Sequence, residues 1–113
     1  MNSNERMHRI DAVLSHVWMV RAFLKHCEEA EEDDELCSVH RQLYDVMLAL
    51  GGPLKNNDPE AYLKQARKKI SRLKKATQLF VEIQPEVSTH TNFQMAAHSL
   101  QTAVEQIERM LSE

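Results

Sequence analysis

Glycine and proline are scarce in this chain, with two Gly and three Pro among 113 residues. β-Branched residues are sparse as well, so the composition favours long helices over sheets and their turns. A large excess of one charge is also missing. The formal net charge is −3, which supplies no general drive toward nucleic acid. No apolar run approaches the ~20 residues needed to span a bilayer, so no membrane association is expected. The opening stretch MNSNERMHRIDAVLSHVWMVRAFL is broken by Arg9, Asp11, His16 and Arg21, and so lacks the uninterrupted apolar segment of a secretory signal. The expected location is the cytosol, where Cys27 and Cys37 are thiols rather than a disulfide.

What is present is ordinary for a globular chain: 42% apolar and 27% charged residues. A chain of this length forms one domain and buries roughly two-thirds of its unfolded surface. Ile10, Val13, Leu14, Val17, Val20, Leu24 and Cys27 recur at three- and four-residue steps, as do Leu36, Val39, Leu43, Val46, Met47 and Leu50. On one continuous helix these two stripes would point roughly 110° apart, too far to face a single partner. The path must therefore break within the acidic run Glu28–Glu35, seven acids interrupted only by Ala30. Asp33 or Asp34 suits the N-cap of the second helix.

Leu50-Gly51-Gly52-Pro53 reads as the next stop, with Gly for the left-handed position and Pro to block continuation. Asp58-Pro59-Glu60 restarts a helix as N-cap, N1 residue and first-turn acid. Its stripe is Leu63, Ala66, Ile70, Leu73, Thr77, Phe80 and Gln84, and Pro85 is expected to end it. Ser88 or Thr91 is the expected cap of the last helix, Thr91 forming a capping box with Gln94. The stripe there is Phe93, Ala97, Leu100, Val104, Ile107 and Leu111. Helices at about 6–29, 34–50, 59–84 and 89–112 predict an all-α single domain over residues 1–113, an antiparallel up-down-up-down four-helix bundle.

Two surpluses remain once the stripes are buried. Trp18, Met19 and Ala22 make HVWMVRAFL apolar around most of its circumference, and Tyr44 and Leu48 fall off the stripe at a matching height. Trp18, Met19, Tyr44 and Leu48 are therefore the expected interface, most simply of a homodimer. KQARKKISRLKK places Lys64, Lys68, Arg72 and Lys75 along one solvent-facing line, a candidate surface for an acidic protein partner. No aromatic residues interleave this line and no helix-turn-helix accompanies it, so nucleic acid is not the expected partner.

Six His call for a test of metal chemistry. Cys27, Cys37 and His40 flank the acidic corner, and an antiparallel hairpin would bring Cys27 near Cys37, with His40 one turn further on. The paired C-x₂-C or H-x₃-H spacing of zinc sites is missing. The acidic run lacks the central Gly and alternating ligands of an EF-hand. Length and helical character are similar to those of hemerythrins, but the third helix holds no His. His16 and His40 lie beside core stripes, and packed, hydrogen-bonded imidazoles are expected there.

The segment Ala97-His98-Ser99-Leu100-Gln101-Thr102-Ala103 resembles the phosphoacceptor segment of histidine phosphotransfer domains, which are helical bundles of similar size. That family follows its His with Leu, Lys and Gly. Here Leu100 matches, while Gln101 and Thr102 replace the Lys and Gly. The resemblance implies His98 as phosphoacceptor. No nucleophile–base pair, phosphate loop or carboxylate constellation accompanies it. The principal expectation is a small non-enzymatic adaptor that needs no cofactor and acts through self-association. Phosphotransfer at His98 and a Cys/His metal clip are its alternatives.

Overall fold

The acidic run interrupts the helical path twice. In the computed structural model, which describes residues 1–113, α1 (Ser3–His26) ends where Cys27 turns extended. A single turn, α2 (Glu29–Glu32), comes next, and Asp33 then caps α3 (Asp34–Lys55). The Asp33 carboxylate accepts a hydrogen bond from the Leu36 amide at 3.0 Å. Such a cap satisfies one of the amides that a helix start leaves unpaired. Ala30, the lone apolar residue of the run, is buried against the core. The corner thus pins itself by one methyl group and the Asp33 cap, while Glu28, Glu31, Glu32, Asp34 and Glu35 are exposed.

α3 does not stop at Leu50. It runs through Gly51, Gly52 and Pro53 to Lys55, and neither glycine has a positive φ. The stop comes one turn later, where Asn57 takes the left-handed conformation at φ 50°. The Asp58 amide donates to the Pro53 carbonyl at 2.9 Å and the Asn57 amide to the Leu54 carbonyl at 3.0 Å. That pair of bonds is the Schellman closure, with Asn in the position usually held by Gly. The delay brings Leu54 against the core. It also sets Asp58 to cap α4 (Pro59–Val87), accepting from the Ala61 amide at 3.1 Å.

α4 likewise continues past Pro85 to Val87, which packs on the core. Gln84, buried just before the proline, donates through Nε2 to the Ser88 carbonyl at 2.8 Å. The cap of α5 (Thr91–Ser112) is neither Ser88 nor Thr91. His90 takes that place, its Nδ1 accepting from the Asn92 amide at 3.0 Å, and Thr91 is the first helical residue. Ser88 supports the turn by accepting from the His90 amide at 3.1 Å.

The fold is all-helical, without strands. α1 packs against α3 and α5, α4 packs against α3 and α5, and α1 meets α4 across the middle. One continuous core of 25 buried hydrophobic residues joins them. It includes most of the expected stripe positions and, beyond them, Met7, Tyr62, Ala76, Ala96 and Ala103. Phe23 of α1 meets Phe93 of α5 edge to face, with centroids 5.0 Å apart. Arg6 donates to the carbonyls of Met110 and Glu113, tying the first turn of α1 to the last turn of α5. Carbonyls ending a helix carry partial negative charge, so a guanidinium is a favourable partner. No helix is long and apolar enough to cross a membrane.

Candidate functional site

The seam between α1 and α3 carries the main concentration of exposed aromatic surface. Trp18 is 47% exposed and Leu48 59%; Tyr44 and Met19 are exposed as well. Tyr44 and Leu48 lie one turn apart on α3, on the same side of that helix. Met19 lines neither of the two cavities of this seam.

Between the two aromatic rings lies a residue that the periodicity of α1 does not single out. Arg21 is only 9% exposed. Its guanidinium carbon is 4.7 Å from the Trp18 ring centroid and 4.5 Å from that of Tyr44. Trp18 and Arg21 are three residues apart on α1, hence neighbours on its surface. α3 supplies Tyr44 from the other side. The Arg21 Nε is buried without a hydrogen-bond partner, and the ion pair present in the protein, Lys74 with Glu108, lies elsewhere on α4 and α5. A buried cation without a carboxylate is costly. Here the faces of two aromatic rings stand in for the missing anion, at roughly 0.5–2 kcal/mol per ring.

This clamp divides the seam into two hollows of different chemistry. On one side Trp18 lines a cavity of about 300 Å³ with Leu14, Met47, Leu50 and Leu54, edged by Asp11 and Ser15. On the other, Arg21 and Tyr44 line a cavity of about 360 Å³ with Lys25, His40, Arg41 and Asp45. Burial, then the charges of Arg41, Arg21 and Lys25, hold the His40 imidazole below the usual histidine range.

The cysteines and histidines do not assemble as a clip. Cys37 Sγ is 3.7 Å from His40 Nε2, one turn along α3. Cys27 instead donates its thiol to the Leu24 carbonyl at 3.1 Å. No group of three or more His, Cys, Asp or Glu side chains is arranged to hold a metal ion. Burial pushes the Cys27 thiol above its ordinary pKa, which opposes the thiolate a metal requires. His16 is exposed rather than packed beside the core.

Lys64, Lys68, Arg72 and Lys75 are exposed along α4, and the neighbouring Lys74 is the one that pairs across to Glu108 of α5. His98 lies exposed on α5, while Leu100 of the same segment is fully buried.

The clamp was partly legible. Trp18 and Tyr44 stand out as surplus aromatics at one height, and an Arg three residues beyond the Trp is a stacking signal. The burial of that Arg is not legible in α1 alone, because Tyr44 comes from another helix. Tyr62, adjacent to Leu63, is enclosed through packing that spacing does not reveal, and its hydroxyl has no partner. No protein-family model, curated protein or solved structure matches this chain.

Proposed function

We infer that this is a small non-enzymatic interaction protein, an antiparallel up-down-up-down four-helix bundle that self-associates through the α1–α3 seam. The short corners support the bundle topology, as do the pairing of α1 with α3 and α5 and the Arg6 contacts to the end of α5. The observation that carries the interface is the aromatic clamp. Exposed Trp18 and Tyr44 are held on a buried guanidinium, so they are pre-ordered and lose little side-chain entropy on docking. Aromatic anchors of this kind concentrate binding energy at interfaces. Leu48 and Met19 extend the apolar area around them.

A symmetric homodimer would place one seam against its copy, each burying the other's Trp18. The line of Lys64, Lys68, Arg72 and Lys75 on α4 is left outward as a second surface, suited to an acidic protein partner. Both cysteines are free, in keeping with a reducing compartment such as the cytosol. The test is the mass of untagged protein by sedimentation velocity and native mass spectrometry across a concentration series. The dimer should dissociate at least ten times more readily in Trp18→Ala and Leu48→Ala, with helicity kept. A monomer at every concentration sinks the self-association reading.

A further inference from the structure

We propose that the cavity lined by Arg21, Lys25, His40 and Arg41 at the α1–α3 seam is a binding site for a phosphate group. The site does not depend on self-association, because its walls come entirely from α1 and α3 of one chain.

Three fixed cations, Arg21, Lys25 and Arg41, face one carboxylate, Asp45, across a hollow of about 360 Å³. None of the three is ion-paired with Asp45. The lining thus holds more cations than carboxylates, and His40 registers them. Apart from burial, the charges acting against its protonation are those of Arg41, Arg21 and Lys25. Burial is the larger cause of that resistance, and the three cations lining the same hollow add a positive potential, which draws in anions.

The buried member of the set distinguishes this hollow from a loose surface cluster. Arg21 is more than nine-tenths buried, lines the cavity, and keeps an enclosed Nε without a hydrogen-bond acceptor. Trp18 and Tyr44 both pack their rings on its guanidinium. Rotamer entropy for that side chain is thus already lost before any ligand arrives. A guanidinium fork matches the spacing of two phosphate oxygens. Lys25 and Arg41 lie exposed at the rim, where they attract the ion and close on it. The excess of cations over carboxylates suits a dianion better than a single carboxylate. His40, once protonated, donates a further hydrogen bond and is itself stabilised by the anion. The other groups facing it are Tyr44 and Asp45 of α3, with Cys37 beside its Nε2.

The protein has one tryptophan, and it stacks on the guanidinium that would meet the ligand. Trp18 fluorescence is therefore the readout, with inorganic phosphate titrated at constant ionic strength against sodium chloride. The expected result is a saturable change that chloride does not produce. Half-saturation should move up about tenfold in Lys25→Gln and in Arg41→Gln, each removing one charged contact. Both residues are exposed, so circular dichroism should show these variants folded even where Arg21→Gln is not. NMR of the His40 ring should give a higher pKa in phosphate than in chloride. Phenyl phosphate, run in parallel, separates the sources: tighter binding than inorganic phosphate assigns the site to a phosphate ester, weaker binding to the free ion. The proposal is overturned if neither ligand saturates, if chloride reproduces the change, or if both rim variants bind as the unaltered protein does.

Discussion

Tyr44 of α3 covers the guanidinium of Arg21 of α1, its ring centroid 4.5 Å from the Arg21 carbon. This contact makes a buried charge tolerable where no carboxylate pairs with it, and it joins the two helices at the height of the exposed Trp18. Its energetics set two terms against each other. Stacking on two rings contributes roughly 0.5–2 kcal/mol each. The unpartnered Nε and the loss of hydration cost at least about 1–3 kcal/mol. Arg21→Met keeps the volume and removes both terms, so unfolding stability should change by less than about 1 kcal/mol. Arg21→Ala leaves a void and should cost about 2–3 kcal/mol. Arg21→Lys should also destabilise, since an ammonium loses the planar stacking and is more strongly hydrated. Urea melts of the three variants decide it, and a large loss with Met would show that the charge itself stabilises the fold.

Tyr62 presents the opposite case, a neutral group enclosed without a partner. Its hydroxyl is buried and makes no hydrogen bond. Burial first, and then the charge of Asp11, pushes the phenol above its ordinary pKa of 10.0. Tyr62→Phe removes the unsatisfied oxygen and should stabilise the protein by about 1 kcal/mol. The sign of the pH dependence is fixed by that shift. Above the unfolded value the unfolded chain releases the proton while the folded chain retains it, so stability falls as pH rises past 10.0. In Tyr62→Phe this part of the alkaline loss should disappear, as thermal melts between pH 8 and 11 would reveal.

His40 imposes a limit on the acidic side. Its imidazole is held below the ordinary value of 6.5 by burial and by Arg41, Arg21 and Lys25. As pH falls below that value the unfolded chain takes up the proton first, so stability declines with acidification. The stabilisation is fully present above 6.5 and is lost on the way down to the folded pKa. His40→Gln should flatten the stability profile between pH 5 and 7. An unchanged slope in that variant would move the effect to another group.

The helix faces were legible because four stripes repeat at the helical period over about four to six turns, which outweighs the occasional polar interruption. The corner at Glu28–Glu35 was legible for the same reason: two strong stripes that cannot share one axis require a break between them. The helix ends were read less well, because a local signal competes there with packing. Gly51-Gly52-Pro53 has the composition of a stop, yet Leu54 beyond it packs on the core, and that tertiary contact carries the helix through. Pro85 is overridden in the same way by Val87. At the seam, exposed Trp18 and Tyr44 were visible as surplus apolar residues. Arg21 was not, since a charged residue within an amphipathic helix ordinarily marks its wet side.

The displaced stop of α3 leaves two glycines inside a helix for no conformational reason. Neither has a positive φ, and a Cβ added to either meets nothing within 4 Å. Gly in a helix interior is about 0.5–1 kcal/mol less favourable than Ala. Gly52→Ala should therefore raise stability by that amount, and Gly51→Ala similarly, although Gly51 also lines the Trp18 hollow. Asn57 is where the left-handed backbone is required, at φ 50°. Asn57→Gly should be neutral or slightly stabilising, while Asn57→Ala should cost about 1 kcal/mol. Thermal melts of the four variants separate the two placements. If the chain stopped at Gly51, alanine there would destabilise and Asn57 would tolerate it. If it stops at Asn57, as the Asp58-to-Pro53 and Asn57-to-Leu54 bonds require, the signs reverse.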